Sequence, residues 1–245
     1  RELGVAVRDQ DVVQLVVLDV TTGKPWREPL DLDGWVWQID VAPSGEHLAV
    51  AMGVSSADPT RTGSVVVLDP ITGEISQVLP TQGPRCRSVS WSADGQHVVT
   101  AAEQELALWD VASGQRVKQD LAKDGRNFVR HVQKGMLLLT ATGDVLELRD
   151  AKTLQVVRQF EQPQYAHEDF LYSNIGDAVI SPDGKRLMSG SWNKSMTVWD
   201  TETADALLTF RGHDAGIQGL IITPDGYELL SVGHDGKVRR WPTQQ

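Results

Sequence analysis

The chain has 245 residues, with 23 Lys and Arg against 33 Asp and Glu for a net charge of −10, and one cysteine, Cys86. That balance argues against a binder of the nucleic-acid phosphate backbone, which needs a positive face to release counterions. A lone cysteine rules out an intramolecular disulfide framework and fits a reducing, cytoplasmic setting, and no apolar run approaches the roughly 20 residues that span a bilayer.

The chain opens on Arg1 and enters at once on a strand-like run, "ELGVAV", so it reads as an excerpt with further sequence upstream. Helical periodicity is nearly absent, and short runs of Val, Leu, Ile, Thr and Trp are closed by Gly, Asp or Pro. One phrase returns along the chain: "LVVLDVTTG" (15–23), "VVVLDPITG" (65–73), "LALWDVASG" (106–114), "LELRDAKTL" (146–154), "MTVWDTETA" (196–204) and "VRRWPT" (238–243). Its closing Asp falls at 19, 69, 110, 150 and 200, with Pro242 in the last such place, at spacings of 50, 41, 40, 50 and 42 residues.

A second phrase interleaves with the first and carries Gly45, Gly95, Gly135, Gly184 and Gly226, as in "SADGQHVVTA" and "SPDGKRLMSG". These are turns in which Gly supplies a positive φ. Each period therefore reads as four antiparallel strands, and a sheet that small must stack on its neighbours to bury its faces. Radial stacking of such units gives a β-propeller. The expected fold is all-β, with six four-stranded blades visible and residues 1–245 forming one domain. The first blade lacks its innermost strand and the last its outer strand.

The final period closely resembles a WD repeat, through Gly212-His213, Pro224-Asp225-Gly226, Ser231, Asp235 and Trp241. The resemblance implies that His213, Ser231, Asp235 and Trp241 form a hydrogen-bonded tetrad tying the hairpin to its entering loop. The other units depart from it. Thr100 with Trp109 and Ser189 with Trp199 keep two members, Asn193 stands where Asp is expected, Arg149 takes the Trp place beside Thr140, and Leu18 and Leu68 replace Trp in the first two units. The family's usual ring implies seven blades, with the remainder upstream. Turn phrases such as "SPDGKRL" and "DVTTGKP" resemble bacterial members, in which the propeller follows a signalling module and serves as its sensor.

Ser231, His234 and Asp235 lie within five positions of each other, a spacing that invites a hydrolytic reading. Neither a nucleophile elbow nor a Gly-rich anion loop accompanies them, and His234 belongs to the turn, facing solvent. No catalytic, metal or cofactor residue is assigned. Two insertions lengthen loops that the resemblance places on one face. They are "GVSSADPTRTG" (53–63) and "QPQYAHEDFLYSN" (162–174), and rigidly mounted loops are where recognition concentrates. Candidate partner-binding residues are Trp35, Arg61, Arg85, Tyr165, Phe170, Tyr172, Trp192 and His234.

Trp35 and Trp37, two apart, are expected to place one ring in the core and the other at the rim. Arg61, Arg85 and Arg87 give that face a positive patch. "HED" at 167–169 lacks three convergent ligands, Cys86 reads as a buried small hydrophobe, and His47, His97 and His131 follow no ligand spacing. The expected function is a non-catalytic interaction or sensor propeller that offers these loops to a protein or peptide. The alternatives are a hydrolase- or lactonase-type propeller and a self-association module.

Overall fold

The computed structural model describes residues 2–9, 12–19, 21–54, 61–121, 126–161 and 174–243. The chain divides into two compact units, residues 1–131 and 132–245. In the first unit, β1 (Glu2–Asp9), β2 (Val12–Asp19) and β3 (Leu30–Leu32) form a three-stranded sheet. The second sheet is β4 (Trp35–Val41), β5 (Leu48–Gly53), β6 (Ser64–Leu68) and β7 (Ile75–Pro80). The third is β8 (Cys86–Trp91), β9 (His97–Ala102), β10 (Glu105–Asp110) and β11 (Gln115–Leu121).

The fourth sheet has the order β12 (Arg126–Val132), β13 (Leu137–Thr142), β14 (Val145–Asp150), β15 (Val156–Glu161). In the second unit lie β16 (Ile175–Ile180), β17 (Arg186–Ser191), β18 (Ser195–Asp200) and β19 (Ala206–Arg211). They are followed by the three strands β20 (Ile217–Ile222), β21 (Glu228–Gly233) and β22 (Val238–Pro242). Every strand pairing described is antiparallel between chain neighbours.

Middle strands are buried on both faces: all six residues of β5 are buried, and five of six in β9 and in β17. Outer strands such as β7 and β11 keep most of their residues exposed or half-exposed. The burial comes from sheet against sheet. Ala49, Ala51, Val65 and Leu79 of the second sheet pack with Cys86, Val89 and Trp91 of the third. Val179, Met188 and Met196 pack likewise with Ile217, Leu220 and Leu229.

Polar side chains of the first strands stitch adjacent sheets across these apolar faces. Asp40 accepts the Trp91 amide at 2.7 Å, Gln38 accepts the Val89 amide at 3.1 Å, and Ser88 and Ser90 accept the amides of Val129 and His131 at 3.0 Å each. In the second unit, Asp177 accepts the Leu220 amide at 2.8 Å. Burial raises the pKa of Asp40 while the Trp91 and Val41 amides oppose the rise.

The recurring Asp that ends each third strand is a turn-builder. Asp19, Asp69, Asp150 and Asp200 each accept two backbone amides of the following turn on Oδ1, and Asp110 takes the Ser113 amide and hydroxyl. The same turn then needs a left-handed residue. Gly23, Gly73 and Gly114 supply it at φ 67°, 74° and 68°, but Leu154 and Ala204 hold that place at φ 60° and 66°.

Arg149, in a Trp place, is buried and makes a different bond set. Its guanidinium meets Glu147 Oε2 at 2.6 Å and donates to the Leu154 carbonyl at 2.6 Å, while Gln159 donates to Glu147 Oε1 at 2.9 Å.

Two stability predictions follow from these local arrangements. Ala204→Gly should raise unfolding free energy by about 0.5–1 kcal/mol, because it removes a left-handed Cβ at a net gain over glycine's entropy. Arg149→Leu should cost about 3–5 kcal/mol by leaving the Glu147 carboxylate buried without its cation, with most of the loss regained on adding Glu147→Leu. Urea denaturation of the variants measures both.

Candidate functional site

The loop 212–216 enters β20, and the β21–β22 hairpin lies against it. His213 Nδ1 lies 3.0 Å from both Asp235 carboxylate oxygens and its Nε2 lies 2.7 Å from Ser231 Oγ, while Trp241 Nε1 donates to the same hydroxyl at 2.9 Å. With the proton on Nδ1, the chain of donors runs from Trp241 through Ser231 to His213, and from His213 to Asp235. Asp235 also accepts the amides of Asp214 and Lys237 at 3.0 and 3.1 Å. Gly233 is required beside the ring, since a Cβ there would meet His213 Nδ1 at 2.6 Å.

Asp, His and Ser are thus linked in the order of a hydrolytic triad, with His213 rather than His234 as the middle member. The arrangement has no nucleophile. Ser231 is fully buried and its hydroxyl already receives the indole N–H, so no carbonyl carbon can approach it at attack distance. The tetrad is a tie between loop and hairpin. Two other sheets keep a reduced form of it: Trp109 Nε1 donates to Thr100 and Trp199 Nε1 to Ser189, each at 3.0 Å.

Exposed aromatic and charged side chains gather at the strand ends opposite the Asp turns. Trp35 and Trp37 are 46% and 47% exposed, so neither ring is core. A bulge between Val36 and Gln38 breaks the alternation at Trp37, which removes the premise that the two rings share a strand side. The Arg87 guanidinium lies 5.3 Å from the centroid of Trp37, and burial lowers its pKa, aided by the neighbouring Arg85 charge. Arg61 pairs with Asp33 at 2.6 Å and Arg85 with Glu103 at 3.4 Å. Gly53 brings these pieces together, pairing with Trp35 in the β4–β5 ladder and bridging to Arg85. The positive patch is therefore partly neutralised by carboxylates and partly stacked on indole.

In the second unit Trp192 and the exposed His234 meet edge to face at 5.9 Å. Tyr165, Phe170 and Tyr172, with the "HED" at 167–169, lie outside the described residues. Cys86 is fully buried and burial pushes its thiol up to about 12, so the flanking arginines do not activate it.

Burial works against the charged form of Asp235, but the Asp214 amide and the His213 and Lys237 hydrogen bonds outweigh it, holding the carboxyl well below the ordinary 3.8. A depressed carboxylate contributes stability above its unfolded pKa and loses it as pH falls toward the folded one. Stability of the intact chain should therefore fall below about pH 3.8 more steeply than that of Asp235→Asn. At neutral pH His213→Ala should cost about 2–3 kcal/mol by stranding buried partners. Denaturant melts across pH test both.

Comparison with known proteins points the same way. The family described as "WD domain, G-beta repeat" matches residues 73–110, 162–200 and 205–242. Serine-threonine kinase receptor-associated protein from Gallus gallus is 26% identical over 153 residues, 62% of this chain and 41% of that protein, and the Homo sapiens protein is 23% identical over the same shares. Nuclear distribution protein PAC1 of Arthroderma otae is 29% identical over 44% of this chain and 24% of its own length. The chain thus spans less than half the length of these relatives. The Cps50 (Swd1) β-propeller domain of Myceliophteria thermophila superposes with a TM-score of 0.71 at 21% identity, covering 86% of this chain and 66% of that one. Three segments of the chain match the WD-repeat model, and its fold is that of a β-propeller.

Proposed function

We infer that the chain is a non-catalytic interaction module that presents the loop ends of its sheets to a protein or peptide partner. The observation that carries this reading is the cluster of half-exposed Trp35 and Trp37 with Arg85 and Arg87, mounted on paired strands. Trp and Arg are the residues that most often anchor protein interfaces, and strand ends in a hydrogen-bonded sheet hold them with little ordering cost on binding. The two long insertions follow β5 and β15 along the chain.

The relatives' names include a receptor-associated protein, which supports a protein partner. Service as the sensor of a signalling module upstream, a seven-bladed ring completed by upstream sequence, one domain over 1–245 and a cytoplasmic setting complete the reading. The bacterial type rests on the turn phrases alone, since the relatives named above are animal and fungal.

The test is co-purification from the native host with three forms of the chain: unaltered, Trp35→Ser with Arg85→Glu, and residues 163–173 replaced by a Gly-Ser turn. One partner should be depleted at least tenfold from the first variant while circular dichroism stays unchanged. An identical partner list from all three forms would overturn the reading.

A further inference from the structure

The first strands of the sheets share an irregularity. In β4 the ladder pairs Val36 with Met52 and Gln38 with Ala51, which leaves Trp37 as an extra residue. In β8 it pairs Cys86 with Ala102 and Ser88 with Ala101, which leaves Arg87. The bulges of β16 and β20 leave Gly176 and Gln218 at the corresponding place. A bulge re-aims one side chain out of the pleat, and here glycine and glutamine fill it as well as tryptophan and arginine do. The fold therefore demands neither an indole nor a guanidinium at this place.

Trp37 and Arg87 come from adjacent sheets and meet there. The Arg87 guanidinium lies 5.3 Å from the centroid of the half-exposed Trp37 ring. Among the described residues that guanidinium has no hydrogen-bond or ion-pair partner. The neighbouring Arg85 pairs with Glu103 at 3.4 Å, and Arg61 is answered by Asp33. Two guanidinium groups thus share the Glu103 carboxylate, and the cluster carries one positive charge in excess. Burial and the Arg85 charge both lower the pKa of Arg87, and Glu103 opposes them. The chain as a whole carries −10, so the excess is local, and an anion would be held by contact rather than by long-range attraction.

A guanidinium is planar and offers a fork of N–H donors that matches a carboxylate. A carboxylate also brings the single negative charge that the cluster lacks, whereas a phosphomonoester brings about −1.5 to −2, more than one excess cation answers. Trp35, half-exposed, stands across Gly53 from Arg85 and adds an apolar ring face. We propose that Arg87, backed by Trp37, receives a Glu or Asp carboxylate of a partner peptide, with an adjacent apolar side chain of that peptide against Trp35. The proposal rests on the interaction-module reading and names the chemistry of the partner segment.

The test is an NMR titration of the isotope-labelled full chain that follows the Trp37 indole N–H resonance, assigned with Trp37→Phe. The probes are the capped peptide Ala-Leu-Glu-Leu-Ala and the same peptide with Gln or phosphoserine in place of Glu. A saturable shift is expected with the Glu peptide, none with the Gln peptide, and weaker binding with the phosphoserine peptide. Arg87→Gln should weaken binding of the Glu peptide about 5-fold or more, and Arg87→Lys, which keeps the charge without the fork, should fall between. The Arg87→Gln melting curve should match that of the unaltered chain, since Gln218 fills the corresponding bulge of β20. The proposal is overturned by no saturable shift, by equal shifts from the Glu and Gln peptides, by tighter binding of the phosphoserine peptide, or by undiminished affinity in Arg87→Gln. Co-purification separates it from the reading beneath it. A partner kept by Arg87→Gln but lost by Trp35→Ser with Arg85→Glu would overturn the carboxylate assignment and leave the interaction module standing.

Discussion

A small antiparallel sheet whose middle strands are apolar on both sides cannot exist alone in water. That constraint shapes the rest of this chain. Because β5, β9 and β17 are buried on both faces, each sheet must lie between others, and chemistry facing a partner is pushed to strand ends and turns. Apolar burial supplies the driving force, at about 25 cal/mol per Å², but it has no direction. Orientation comes from the polar stitches. Asp40, Gln38, Ser88, Ser90 and Asp177 each reach across to a backbone amide of the next sheet, and an unpaired group at any of these places would be costly in so apolar a setting.

The same logic explains why the tetrad can be complete in one sheet and reduced in others. Its four members tie one loop to one hairpin and do not hold sheets together. Where the Trp place is taken by Arg149, a buried pair with Glu147 fills the volume, and the guanidinium satisfies the Leu154 carbonyl of the strained turn. A tie of Asp, His and Ser closed by an indole resembles a catalytic triad in connectivity alone. Burial separates the two, because a nucleophile must be reachable and Ser231 is not.

Much of the architecture was legible because it is written in local chemistry. The Asp at 19, 69, 110, 150 and 200 and the glycines of the turn phrases act within five residues of themselves, so their spacing alone marks strand ends. The tetrad was legible through resemblance, from His213 to Trp241. The polar stitches were not, because Gln38 and Asp40 find their partners some fifty residues away in β8, and nothing local distinguishes them from solvent-facing strand residues. Trp35 and Trp37 were misjudged for a related reason: alternation predicts facing only until a bulge intervenes, and this one depends on the β5 partner.

The most direct test of the central claim, that recognition resides at the strand ends and not on the outer strands, is site-specific photo-crosslinking in the native host. A benzoylphenylalanine would be placed at position 35 in one form and at the exposed position 117 on β11 in another. The account predicts one discrete adduct from position 35 and none from position 117. Equal capture from both positions, or capture from position 117 alone, would contradict it.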